Sequence, residues 1–247
     1  MFENPPEEWF SNWFDSPYYH TLYKNRDTNE ARLFIDNLLR HIQLPVQARI
    51  ADIACGKGRH SIYLNKKGFD VTGIDISAHS IQYAKKFENE TLHFAIHDMR
   101  KPFISDYFDA ALNLFTSLGY FKTAYENELA IKTMYLTLKK NGIVVIDFFN
   151  ANTVLQNSLK KEEKCIDGIV FQIKKRVVGK TLVKDIEFTA GGKDFHFTEE
   201  VQMLSLKDFE KQFKSVGLII SQLFGDYSLN AYDPERSDRL IIIGTKH

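Results

Sequence analysis

Residues 49–59 read Arg49-Ile-Ala-Asp52-Ile-Ala54-Cys55-Gly56-Lys-Gly58-Arg59. RIADIA (49–54) reads as a short strand, and helical spacing follows over 58–67. Between them the glycines let the backbone turn tightly and approach a ligand closely. A helix that starts there offers free amide groups, which suit an anion or a carboxylate. Strand, glycine turn and helix together form the first half of a parallel βαβ unit.

The same alternation runs on downstream. FDVTGID (69–75) is a second strand, and Ser77 caps a helix running to about Phe87, its hydroxyl accepting an orphan amide. TLHFAI (91–96) and YFDAALNLF (107–115) are strands three and four, Tyr125 to Lys139 a helix, and GIVVIDFFN (142–150) a fifth strand. Asn141-Gly142 is expected to stop that helix. Strands and helices alternating at this spacing imply a parallel sheet with helices on its faces.

The pattern changes after Asn150. Segments within 168–203 are β-like and separated by Gly-Lys and Gly-Gly-Lys turns, which favours antiparallel hairpins. A helix at Leu206–Val216 and strands at Leu218–Phe224 and Arg239–Thr245 close the pattern. Upstream, residues 6–14 predict a short helix from Pro6 carrying Trp9, Phe10, Trp13 and Phe14, and a second helix spans about Thr28 to His41. The aromatic helix either packs on the domain or serves as a lid. The implied organisation is an N-terminal helical lid segment (1–44), a ligand-binding α/β domain (45–150 and 204–247), and an inserted antiparallel β flap (151–203).

The glycine turn is not a dinucleotide fingerprint, because its third glycine would fall at Ser61, and no G-x-x-x-x-G-K-[ST] exists for a phosphate loop. The acids around it are more telling. Asp75 ends the second strand, where a carboxylate can accept two hydrogen bonds from a ribose diol; Asp98 follows the third, where it can accept from an exocyclic amine. Asn113 and Asp147 also fall at carboxyl ends of strands, and open α/β sheets bind ligands in that crevice.

DIACGKGR, GIDIS, HDMRKPF and FDAALNLFTSLGYF, in this order over about residues 45–150, resemble the class I S-adenosylmethionine-dependent methyltransferase family. The resemblance implies a Rossmann-like, seven-stranded, mostly parallel sheet closed by a reversed hairpin, with S-adenosyl-L-methionine as cofactor. DMR, then F-T-S-L-G-Y and a β insert, resembles the small-molecule branch that includes glycine and amino-sugar N-methyltransferases. On that resemblance Asp52, Ala54, Cys55, Gly56 and Gly58 line the methionine part, Asp75 holds the ribose, and Ile76 meets the adenine face. Asp98 and Met99 flank the adenine, and Asn113, Leu114 and Phe115 pass beneath the sulfonium. Arg59 either meets the cofactor carboxylate or faces solvent.

Methyl transfer from a sulfonium is an in-line displacement served mainly by alignment and exclusion of water. Catalytic residues are therefore hard to read from sequence. Thr116 to Phe121 follows the fourth strand; Ser117 and Tyr120 are acceptor-side candidates, with Tyr120 either orienting an amine and taking its proton through water or packing under the flap. Tyr19 and Tyr23 both fit a residue that covers the cofactor. His196 on an alternating strand shares a face with Asp194 and Thr198, and Tyr227, Tyr232 and Arg236 lie in a long polar loop at the crevice rim.

Whole-chain properties narrow the class. Of 247 residues 44% are hydrophobic and 26% charged, which suits a soluble globular protein, and Lys+Arg and Asp+Glu both count 32, so nothing draws the chain generally to nucleic acid or membrane. Cys55 and Cys165 fit neither a disulfide framework nor a zinc site, and no metal is expected. With acids where a signal peptide carries positive charge, the expectation is a cytoplasmic protein, monomer or homodimer. The resulting expectation is methyl transfer to a small molecule at an amine nitrogen. A protein or nucleic-acid methyltransferase and a cofactor-binding protein without turnover stand as alternatives; Asn113-Leu114-Phe115-Thr116 lacks the [DN]-P-P-[YFW] of exocyclic-amine enzymes.

Overall fold

Small side chains set the middle of the sheet. β1 (Arg49–Ile53) lies parallel to β4 (Phe108–Asn113) with Ile50 opposite Ala110 and Ala51 opposite Ala111, all four fully buried. The structure is a computed structural model and describes residues 9–24, 28–156 and 161–247. Pro6 and the side chains of Trp9 and Phe10, part of the expected aromatic helix, lie outside the described residues.

β2 (Asp70–Asp75) and β3 (Leu92–Ile96) extend the sheet on one side of β1. On the other side of β4 come β5 (Leu138–Phe149), β11 (Arg239–Lys246) and β10 (Leu218–Phe224). The order is β10-β11-β5-β4-β1-β2-β3, with β11 antiparallel to both its neighbours. Alternation along the strands feeds two cores. Ile50, Val145 and Ile241 face α3 (Thr28–Ile42), α4 (Arg59–Lys66) and α5 (Ala78–Ala84) through Phe34, Leu38, Leu64 and Ile81. Ala51, Val144, Ile146 and Ile242 face α6 (Ala124–Thr137) and α8 (Leu206–Val216) through Ile131, Met134, Phe209 and Phe213.

A second, four-stranded antiparallel sheet has the order β6 (Lys161–Ile166), β7 (Ile169–Val178), β8 (Thr181–Ala190), β9 (Lys193–Gln202). Its apolar face receives α1 (Trp9–Phe14) and α2 (Pro17–Leu22), where Trp13 and Leu22 pack on Phe171, Ile173, Ile186 and Phe188. α7 (Ala151–Gln156) follows β5. Among the described residues no helix is long and apolar enough to cross a membrane.

Two local expectations need correction. α6 ends at Thr137, not Lys139, and β5 begins at once, because Asp106 and Tyr107 donate their amides to the carbonyls of Leu136 and Thr137 and Lys139 pairs with Asp109. Asn141-Gly142 therefore bends the strand and does not stop the helix: Asn141 has φ 63°, and a Cβ on Gly142 would meet the Lys139 carbonyl at 2.8 Å. β6 carries no alternation signal in the sequence; KEEKCI is a strand through its antiparallel register with β7.

Candidate active site

A cavity of about 540 Å³ opens at the carboxyl ends of β1, β2, β3 and β4, under α1 and α2. That volume suits a small-molecule ligand site. Its floor is the turn after β1, where Ala54, Gly56 and Gly58 all take left-handed φ of 60°, 56° and 79°. Gly56 lines the cavity, and a Cβ there would meet no protein atom within 4 Å, so any side chain would enter the cavity itself. Gly58 serves otherwise: it caps α4 in the left-handed region, and a Cβ would strike the Phe94 ring at 2.6 Å. It holds α4 against β3 and does not line the cavity, which corrects its expected contact.

Carboxylates stand at the tips of successive strands. Asp52 is 1% exposed and accepts the Ser61 hydroxyl. Burial pushes its carboxyl up to about 6, partly offset by hydrogen bonds from Ser61. Asp75 accepts the Gly56 amide on one oxygen and the Ser77 amide on the other, each at 2.8 Å. Burial raises it above its ordinary range against those two bonds. An ionised carboxylate has about four lone-pair sites, so two stay available to a diol. Asp98 is gripped by the Arg100 guanidinium at 2.7 Å; burial opposes ionisation, yet Arg100 holds Asp98 below its usual range. Arg100 reaches on to Glu126, also at 2.7 Å. Ile76 and Met99 add apolar wall beside these acids, and Cys55, its thiol pushed well up by burial, closes the floor.

The turn after β4 makes the next wall. Leu114, Phe115, Thr116, Ser117, Tyr120 and Phe121 line the cavity. Phe115 and Thr116 both have φ 59°, and a non-glycine residue in that region costs about 1–3 kcal/mol. The Phe115 ring lies between His60 and Tyr227, each stacked at 5.1 Å, with the Arg59 guanidinium 4.6 Å from its centroid. Gly119 at φ 86° is stitched to the second sheet: its carbonyl accepts the Gln202 amide at 2.7 Å, and its amide donates to Asn127. The Gln202 side chain donates to the Phe121 carbonyl, so both flanks of Tyr120 are held.

The roof comes from far away in sequence. Phe14, Tyr19, His20, Tyr23 and Lys24 line the cavity. Tyr120 meets Phe14 edge-on at 5.1 Å, and Tyr19 packs on Phe14 at 5.1 Å and Tyr23 at 4.8 Å. Glu199 on β9, buried, accepts from Tyr23 and from Trp13 Nε1, each at 2.7 Å, and Lys184 on β8 stands 3.3 Å away. On the other flank Asp15 accepts the Ser77 hydroxyl at 2.7 Å and the His79 amide at 2.9 Å. His20, enclosed near Lys57 and His79, is lowered to about 4, chiefly by burial.

Of the sequence candidates the structure gathers Asp52, Ala54, Cys55, Gly56, Arg59, Asp75, Ile76, Asp98, Met99, Leu114, Phe115, Ser117, Tyr19, Tyr23 and Tyr120 around one cavity. Besides Gly58, four others do not line it. Asn113 is fully buried and donates to the Ile53 carbonyl, tying β4 to β1. Tyr227 lies behind Phe115, its hydroxyl donating to Asp147. His196 points with Asp194 and Thr198 to the outer face of the second sheet, because Phe195, Phe197 and Glu199 alternate inward. Arg236 is exposed in the turn before β11. Phe14, read from sequence only as part of an aromatic helix that packs or forms a lid, enters the cavity wall. Sequence reasoning missed Glu199, Lys184, Arg100 and Arg239; of these only Arg100 stands in a quoted motif, because long-range pairing leaves no local signal.

A family model described as a methyltransferase domain matches residues 46–216. The chain is 28% identical over 213 residues to a Bacillus subtilis (strain 168) protein provisionally named methyltransferase YqeM, across 82% of this chain and 86% of that one. It is 25% identical over 193 residues to a dTDP-3-amino-3,4,6-trideoxy-alpha-D-glucopyranose N,N-dimethyltransferase of Streptomyces venezuelae, across 73% of this chain and 79% of the relative. The crystal structure of an S-adenosylmethionine-dependent methyltransferase from Clostridium acetobutylicum ATCC 824 superposes with a TM-score of 0.79 at 20% identity, covering 95% and 98% of the two chains.

Proposed function

This chain belongs to the class I S-adenosylmethionine-dependent methyltransferase family, and from that premise we propose that it methylates an amine nitrogen of a small molecule. Bound S-adenosylmethionine supplies an electrophilic methyl on a sulfonium, with a neutral thioether as leaving group. The residues present fit such a group: a glycine floor with no side chain in the way, buried acids at the tips of β1 and β2, and Asp98 beyond β3. In this reading Asp75 holds the ribose diol, Asp98 and Met99 border the base, and Asp52 faces the amino-acid end.

One observation carries the acceptor assignment. The part of the cavity on the β4 side is an aromatic enclosure of Phe14, Tyr19, Tyr23 and Tyr120, roofed by α1–α2 and backed by the second sheet. Such a box excludes water and presents ring faces and phenol oxygens to a small amine. Tyr120 and Tyr19 are the residues assigned to orient the nitrogen, with Tyr23 and Ser117 as further acceptor contacts. The N-terminal segment acts as lid and residues 151–203 as flap. The relative whose name specifies an amino-sugar N,N-dimethyltransferase supports the amine class. Free Cys55 and an exposed free Cys165 suit a reducing compartment, the cytoplasm.

The test is formation of S-adenosylhomocysteine from S-adenosylmethionine with panels of small amines, hydroxy acids, peptides and RNA. Turnover confined to amines, and lost in Tyr120→Phe or Tyr19→Phe, is the expected result. Turnover on peptides or RNA alone overturns the acceptor class and leaves the family assignment standing.

A further inference from the structure

Beneath the cavity wall lies a charged pair. Asp147 on β5 is fully buried, and Arg239 at the start of β11 meets it through Nε at 2.8 Å and through a terminal nitrogen at 2.7 Å. Neither lines the cavity. Their bonds converge on two residues that do. The Asp147 carboxylate accepts the Phe115 amide at 2.8 Å, its backbone carbonyl accepts the Thr116 amide at 2.9 Å, and Arg239 donates to the Thr116 hydroxyl at 3.0 Å. Phe115 and Thr116 are the consecutive left-handed residues at φ 59°. A conformation that L side chains resist persists only where the surroundings over-determine it, and here amides, hydroxyl and ring are all fixed from below.

The place of this turn along the rim gives the fixation a purpose. The tips of β1, β2 and β3 carry the glycine floor, Asp75 and Asp98; β4 is next to β1, and its loop continues to Gly119, where the second sheet attaches. Phe115 and Thr116 thus stand between the adenosyl side and the aromatic enclosure. We infer that Asp147 and Arg239 are positioning residues: they hold the Phe115–Thr116 turn as the wall that fits the methylated sulfonium and turns it toward the acceptor. This follows from the cofactor assignment alone and holds whichever acceptor is used.

The test is calorimetric titration of the full chain with S-adenosylmethionine and with S-adenosylhomocysteine, which share the adenosyl part and differ at the sulfur. Hydrogen-exchange mass spectrometry of the peptide spanning 112–121 runs beside it. Arg239→Lys keeps the charge but loses the forked donation. It should weaken S-adenosylmethionine about tenfold and S-adenosylhomocysteine about twofold or less, with faster exchange in that peptide. Thr116→Val, which removes only the hydroxyl acceptor, should weaken S-adenosylmethionine about threefold. Asp147→Asn should give the largest shift; if it does not fold, the other two variants decide. An unchanged ratio of the two affinities in Arg239→Lys and Thr116→Val, whether both ligands bind normally or both weaken equally, overturns the proposal and leaves the pair a prop of the sheet. Failure of the wild-type chain to bind either ligand would instead count against the cofactor assignment.

Discussion

The two sides of the cavity are built on different principles. At the tips of β1 to β3, the wall comes from backbone: two left-handed residues, Ala54 and Gly56, and acids fixed by main-chain bonds such as those from Gly56 and Ser77 to Asp75. On the β4 side it comes from side chains contributed by α1, α2, the β4 loop and the second sheet, joined through the Glu199 node and the Gln202 stitch. Backbone recognition depends on a few consecutive residues and suits an invariant ligand. The side-chain enclosure depends on tertiary assembly, which leaves it open to change.

The largest effect that can test this contrast is Trp13→Ala. Trp13 is 1% exposed, lies 4.4 Å from the Phe197 ring and donates to Glu199, so truncation should cost about 3–5 kcal/mol in urea unfolding. Asp75→Ala should instead remove about 1.5–3 kcal/mol of S-adenosylmethionine affinity by calorimetry, with a smaller loss of stability. Should Trp13→Ala cost as much affinity as Asp75→Ala, the two sides are not separable and the contrast fails.

Acid sharpens the comparison, because the two sides respond with opposite sign. Asp52, raised from 3.8 to about 6, takes up its proton in the fold before it would in the unfolded chain. Between about pH 6 and 4 the fold binds the extra proton, so this group's contribution to stability rises as pH falls. His20, lowered from 6.5 to about 4, resists the proton that the unfolded chain accepts. Its contribution is therefore lost as pH falls from about 6.5 toward 4. Urea midpoints across this range should show Asp52→Asn losing ground to wild type as pH drops and His20→Gln gaining on it; parallel curves for either variant refute the assignment to that residue. The smallest effect belongs to His196→Ala: on the exposed outer face it should stay within about 0.5 kcal/mol of wild type in stability and leave turnover intact.

The contrast also explains what could be read in advance. The turn in DIACGKGR, the strand-end place of Asp75 and the Ser77 cap are local features, where a turn favours glycine and a helix start favours a hydroxyl. The structure has the turn after β1, Asp75 at the end of β2 and Ser77 accepting the Ser80 amide. Period-two spacing put His196 correctly with Asp194 and Thr198, but spacing cannot say which face of a sheet is covered; Phe195 and Phe197 won the inner one because α1 and α2 bring aromatic surface to it. In sequence Arg236 stands out as a cation in a polar loop, whereas Arg239, three residues on and at the start of a strand, is the one that reaches Thr116. Its partner Asp147 lies 92 positions away, a separation that no local pattern spans.

β11 is the last of the described strands in chain order but does not take an edge; it lies between β5 and β10. A chain emerging from the ribosome can assemble β1 to β5 with their helices while the β5 edge remains open. That edge carries Val144 to Phe149, apolar apart from Asp147, and presents unpaired amides and carbonyls until residues 239–246 have been made and threaded in. Arg239, which reaches the Thr116 hydroxyl, arrives with the same strand. During synthesis, then, closing a sticky edge and bracing the Phe115–Thr116 turn are a single event, and a nascent chain stalled before it has neither a finished sheet nor that brace.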